Sequence, residues 1–89
     1  MGKYKSKYHW NFRVITGKDH FGNRFFSIVE TYYNKDNVPD SYAKRELMSE
    51  HESVEDLKWE RKKIKDAFKK PILDKDNFPK EWKEEKNGI

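Results

Sequence analysis

Two stretches of high β-propensity joined by a turn, all within residues 8–33, constrain this chain more than any other feature. Over residues 8–15 the side chains alternate, with Tyr8, Trp10, Phe12 and Val14 on one side and His9, Asn11 and Arg13 on the other, the period of a half-buried strand. Residues 16–23 contain Gly17 and Gly22 beside Asp19 and Asn23, types that tolerate left-handed backbone, so the chain is expected to reverse there. Residues 24–33 are crowded with aromatic and β-branched side chains on both faces, the pattern of a central strand.

A second turn is expected over residues 34–40. Residues 41–48 alternate weakly, with Ala43 and Leu47 opposed to Lys44 and Glu46, like an edge strand guarded by charge. Ser53 followed by Asp56 three positions later is the signature of a capped helix start, so a helix is expected from Val54. Val54, Leu57, Ile64 and Phe68 form its apolar stripe, and Lys69, Lys70 and Pro71 end it. The expected fold is α+β: a three-stranded antiparallel meander sheet followed by one amphipathic helix and a short C-terminal tail packing back. Residues 1–7 read as a flexible basic arm, residues 8–73 as the single domain, and residues 74–89 as a partly docked tail.

Composition supports one domain and removes whole classes of function. At 89 residues a second independent core would be too small to hold itself together. Charged residues reach 40%, but 16% of the chain is aromatic, and each ring removes enough area from water to offset ordering entropy. With no cysteine there is no disulfide, iron–sulfur cluster or thiolate zinc site. The basic start at Lys3, Lys5 and Lys7 has no apolar run behind it, so a cytoplasmic protein without a membrane segment is expected.

Trp10-Asn11-Phe12-Arg13-Val14-Ile15, Glu30-Thr31-Tyr32-Tyr33 and Lys70-Pro71-Ile72-Leu73-Asp74 together resemble segments of a family of short uncharacterised bacterial and phage proteins with W-N-[YF]-R-V-I, E-x-Y-Y and K-P-[VI]-L-D patterns. The resemblance covers about residues 8–74. It implies a shared fold and an accessory role, and it carries over no catalytic residue.

No constellation reads as an active site, a metal site or a cofactor site. His9, His20 and His51 lack the spacing of metal ligands, and Asp74-Lys75-Asp76-Asn77 starts like a calcium loop but has Pro79 where that loop needs glycine. Glu30, alone in an apolar strand, is expected to pair with Lys44 or Arg45 across the sheet. No phosphate-cradling glycine loop or nucleophile elbow occurs, so the chain is not expected to be an enzyme.

What remains is binding. Trp59 lies off the helix stripe, packed under the tail or exposed as an anchor, and with Tyr32, Tyr33, Tyr42 and Arg61 it forms the candidate protein interface. Lys3, Lys5, Lys7, Lys58, Lys62 and Lys65 lie among rings, so the alternative is a nucleic-acid-binding surface in which lysines neutralise phosphates and rings stack on bases. The expected function is a noncatalytic protein-interaction module, a small accessory or regulatory protein of bacterial or phage origin that inhibits a host component in the phage case. A homodimer also fits, since a three-stranded sheet leaves an open edge.

Overall fold

The computed structural model describes residues 9–83, within a small single-domain α+β fold. Strand β1 (Trp10–Lys18) pairs antiparallel with β2 (Arg24–Tyr33), which pairs antiparallel with β3 (Pro39–Ala43); helix α1 (Val54–Ala67) follows, and then the two-residue strand β4 (Leu73–Asp74). The sheet therefore has four strands, not three. Its order is β3-β2-β1-β4, and β4 runs parallel to β1, pairing Leu73 with Ile15 and Asp74 with Thr16. The sheet thus takes in Leu73, the last residue of the expected domain, and Asp74, the first of the expected tail, and β1, rather than lying at an edge, is flanked on both sides. The third strand also ends earlier than its alternation suggested, because residues 44–52 leave the sheet to meet the helix.

Both reversals are built alike. Asp19 Oδ1 accepts from the amides of Phe21 and Asn23, and Asn34 Oδ1 accepts from those of Asp36 and Val38. The fourth residue of each turn is left-handed, Gly22 at φ 84° and Asn37 at φ 64°. An Asx side chain that replaces missing ladder bonds, followed by a residue tolerant of positive φ, is what these sequences supply.

Alternation along β1 and β2 gives the sheet two faces. One, the helix face, carries Trp10, Phe12, Val14 and Thr16 beside Tyr32, Glu30, Ile28 and Phe26; the other, the tail face, carries Asn11, Arg13, Ile15 and Gly17 beside Thr31, Val29, Ser27 and Phe25. Ile15, Val29 and Leu73 form the buried apolar cluster of the tail face, with Tyr42 and Phe78 packed on it. The 3-10 turn Lys75–Asn77 crosses so close to β1 that a Cβ on Gly17 would stand 2.9 Å from Cβ of Lys75. Glycine is required there by contact, not by φ.

Helix α1 starts where the sequence says, with Ser53 capping the amide of Asp56. Its inward face differs from the apolar stripe. Val54 and Phe68 are 60% and 66% exposed, whereas Glu60 and Ala67 are buried, with Leu57 and Ile64 half-buried between them. A carboxylate can take an inward position only if its oxygens are bonded. Glu60 meets that condition: one oxygen accepts from the amide of Met48 at 2.9 Å and the other bonds His51 Nε2, which pins residues 44–52 onto the helix. Among the described residues no helix is long and apolar enough to cross a membrane.

Candidate interaction surface

The structure separates the residues expected to form a protein interface. Tyr33 is 7% exposed and its hydroxyl accepts from Arg13 and donates to Asn11, so its side chain is part of the tail face. Tyr42 is half-buried edge-on against Phe78. These two support the sheet. On the other side Trp59 is 49% exposed, Tyr32 37%, and Arg61 is exposed on α1. Trp59 is not under the tail. It meets Trp10 edge-on, with centroids 6.3 Å apart, and the tail's own tryptophan, Trp82, packs instead on Phe26.

Glu30 finds its expected partner in Arg45, at 2.6 Å. It also accepts from the Tyr32 hydroxyl, and that hydrogen bond, with burial and the carboxylate's charge behind it, raises the phenol above its ordinary value. The Arg45 guanidinium lies 5.7 Å over the Phe12 ring, so the ion pair roofs part of the helix face. Glu60 behaves oppositely to a simply buried acid. The Met48 amide, first, and then His51 hold its carboxyl below the ordinary value against the desolvation that would raise it.

Beyond this roof the helix face is open. Val14, Phe26, Ile28, Leu47 and Phe68, with Arg45 at the rim, line a groove of about 470 Å³. Its floor is the β1–β2 ladder, one wall is the end of the helix, and the other is the segment that follows β3. Phe26 and Phe68 are 56% and 66% exposed, large apolar areas left in water by a single helix too narrow to span two strands. Sequence reasoning placed Phe68 in the helix's apolar stripe and did not single out Phe26. The signals were present: Phe26 stands in a strand with apolar residues on both faces, and Phe68 ends the helix beside Lys69, Lys70 and Pro71.

The lysines proposed for nucleic acid are divided. Lys58, Lys62 and Lys65 are exposed on α1, while Lys3, Lys5 and Lys7 lie outside the described residues. Lys63 stands 5.1 Å from the Trp10 ring centroid and 5.3 Å from that of Trp59. Two tryptophans set edge-to-face with an ammonium over both rings are engaged with each other and with the cation, which leaves no bare pair of parallel ring faces for bases. Among the described residues no group of three or more His, Asp and Glu side chains is arranged to hold a metal ion. Searches against protein-family models, curated proteins and solved structures find no match to this chain.

Proposed function

We propose that this chain is a noncatalytic protein-interaction module that receives an acidic, apolar-tipped segment of a partner protein in the open groove of the helix face. The observation that carries the reading is the exposure of Phe26 and Phe68 across one groove floored by Val14 and Ile28. An apolar patch of this kind with charge at its rim is the usual anatomy of a docking site. The electrostatics choose the partner's sign. From Lys58 to Lys69 the helix end carries Lys58, Arg61, Lys62, Lys63, Lys65 and Lys69 against Glu60, which is buried, and Asp66. Such a field speeds the encounter with an acidic partner and rejects a basic one. Trp59, Tyr32 and Arg61 extend the surface beyond the groove. The accessory role in a bacterium or its phage rests on the sequence resemblance, and inhibition of a host component is its phage form.

The test is capture of partners from bacterial lysate by the wild-type chain and by Phe68→Ser, with and without nuclease, at low and high salt. A protein retained after nuclease and in high salt by the wild type, and lost with Phe68→Ser, supports the reading. Recovery that disappears with nuclease and falls steeply with salt replaces it with nucleic-acid binding through Lys58, Lys62 and Lys65. A wild-type dimer in light scattering that Phe68→Ser makes monomeric assigns the groove to a second copy of the chain.

A further inference from the structure

Arg13 points into the opposite face of the sheet, and nothing in the groove reading uses it. It is 7% exposed. Its Nη1 donates to the Tyr33 hydroxyl at 2.7 Å and its Nη2 to the Pro71 carbonyl at 2.8 Å, while its buried Nε–H has no partner. A guanidinium carries its charge at every physiological pH and has five N–H groups to satisfy. Here two are bonded, both to neutral oxygens. Among the described residues no carboxylate pairs with Arg13. A buried charge in that condition is costly, and an anion supplied from outside removes the cost.

The place for one is adjacent. A cleft of about 410 Å³ is lined by Arg13, Asn11, Tyr33, His9, Lys70 and Glu81. The His9 ring stacks flat on Tyr33, with centroids 4.4 Å apart and planes at 8°, and the Tyr33 hydroxyl donates to Asn11 Oδ1 at 2.9 Å, so these walls are fixed. Arg13 and Lys70 bring two positive charges and Glu81 one negative, and neither Lys70 nor Glu81 is ion-paired among the described residues. The balance leaves one positive charge, which suits a monoanion better than a phosphate dianion. Pro39, Pro71 and Pro79 complete the cleft with apolar rings that can accept the organic part of such an ion.

We propose that the Arg13–Lys70 cleft on the tail face binds a carboxylate, from a free organic acid or from a peptide's C-terminal end. The site stands on a different face from the groove and does not depend on it.

The experiment is an NMR titration of the isotope-labelled protein with benzoate, with neutral benzamide, and with one short peptide as its free acid and as its amide. Saturable shifts at His9, Asn11, Arg13 and Tyr33 with benzoate, absent with benzamide, support the site. Binding of the peptide acid but not the amide names a chain end as the source, and binding of benzoate alone names a free acid. Lys70→Gln is expected to weaken binding, and Glu81→Gln to strengthen it, by about two- to fivefold each, as a solvent-screened charge does. Arg13→Gln is expected to abolish it. If Arg13→Gln does not fold, the opposite responses of the variants at Lys70, which is half-buried, and Glu81, which is exposed, still decide the matter, since a purely structural Arg13 moves neither. Absence of saturation up to about 50 mM benzoate in wild type and Glu81→Gln alike, or affinities indifferent to position 70, overturns the proposal.

Discussion

The two faces of this sheet bury their residues by opposite means. On the tail face Arg13, a charged residue, is 7% exposed; on the helix face Phe26, an aromatic one in the neighbouring strand, is 56% exposed. Hydropathy alone would order them the other way. What differs is the element that crosses each face. The tail face is covered by β4, the 3-10 turn and Phe78, chain that follows the strand ladder closely enough to touch Gly17. The helix face is crossed by one helix along β1 and by Arg45 over Phe12, and the β2 side beyond them stays wet apart from the edge of Trp82 against Phe26. Burial in a thin domain is therefore decided by the covering segment, and strand composition only sets what that cover must satisfy.

The comparison breaks most easily at Leu73. It is 1% exposed in the tail-face cluster, so Leu73→Ala is expected to cost about 2–5 kcal/mol in urea unfolding. A loss below about 1 kcal/mol would mean that the tail decorates the sheet instead of holding it.

On the helix face the matching residue is Glu60. Glu60→Ala leaves the Met48 amide and His51 without their acceptor and is expected to cost about 1–3 kcal/mol, with Glu60→Gln costing less because it keeps an acceptor. The acid also gives the wild type a pH signature. Its folded carboxyl titrates below the unfolded value, so its contribution is complete above the unfolded carboxylate range and is lost as pH falls through the folded value. Thermal melting should therefore show a steeper acid loss for wild type than for Glu60→Gln, and equal slopes would remove Glu60 from the account.

Gly17→Ala sharpens the contrast from the tail side. Its new methyl meets a backbone-anchored Cβ, and about 1–3 kcal/mol is expected from the overpacking. The smallest effect belongs to Phe68→Ser, which should change stability by no more than about 0.5 kcal/mol if that ring is as free of internal work as its exposure indicates, while Phe26→Ser also gives up the edge contact with Trp82 and about 0.5–1.5 kcal/mol. Larger losses in chemical unfolding would place these rings in the core and close the groove.

Local signals in the sequence were enough for the hairpin, both turns and the Ser53 cap, because each depends on residues within a few positions of one another. β4 was not legible: two residues have no period, and their partners lie in a strand at the far end of the fold. A pairing of Glu30 with Lys44 or Arg45 was anticipated from the oddity of a lone acid in an apolar strand, and Arg45 is the partner. Glu60 and Arg13 were missed for a shared reason. A charged residue on an amphipathic element reads as solvated until the groups that satisfy it are known, and those groups, Met48 and His51 for one and Tyr33 and Pro71 for the other, are brought near by the fold. The same omission shifted the helix stripe, since only apolar residues were counted and Val54 and Phe68 took places that Glu60 and Ala67 hold.

The bond from Arg13 to Pro71 joins positions 58 apart, whereas β1 and β2 are neighbours through a short turn. Local hairpins close in microseconds, and contacts of long sequence separation bear the entropy of closing a long loop. Pairing of the two long strands alone leaves Ile15 and Val29 without Leu73 and the Arg13 guanidinium without the Pro71 carbonyl. Burying that guanidinium therefore requires closure of the long loop that brings Pro71 to the outer side of β1, over and above the pairing of the strands.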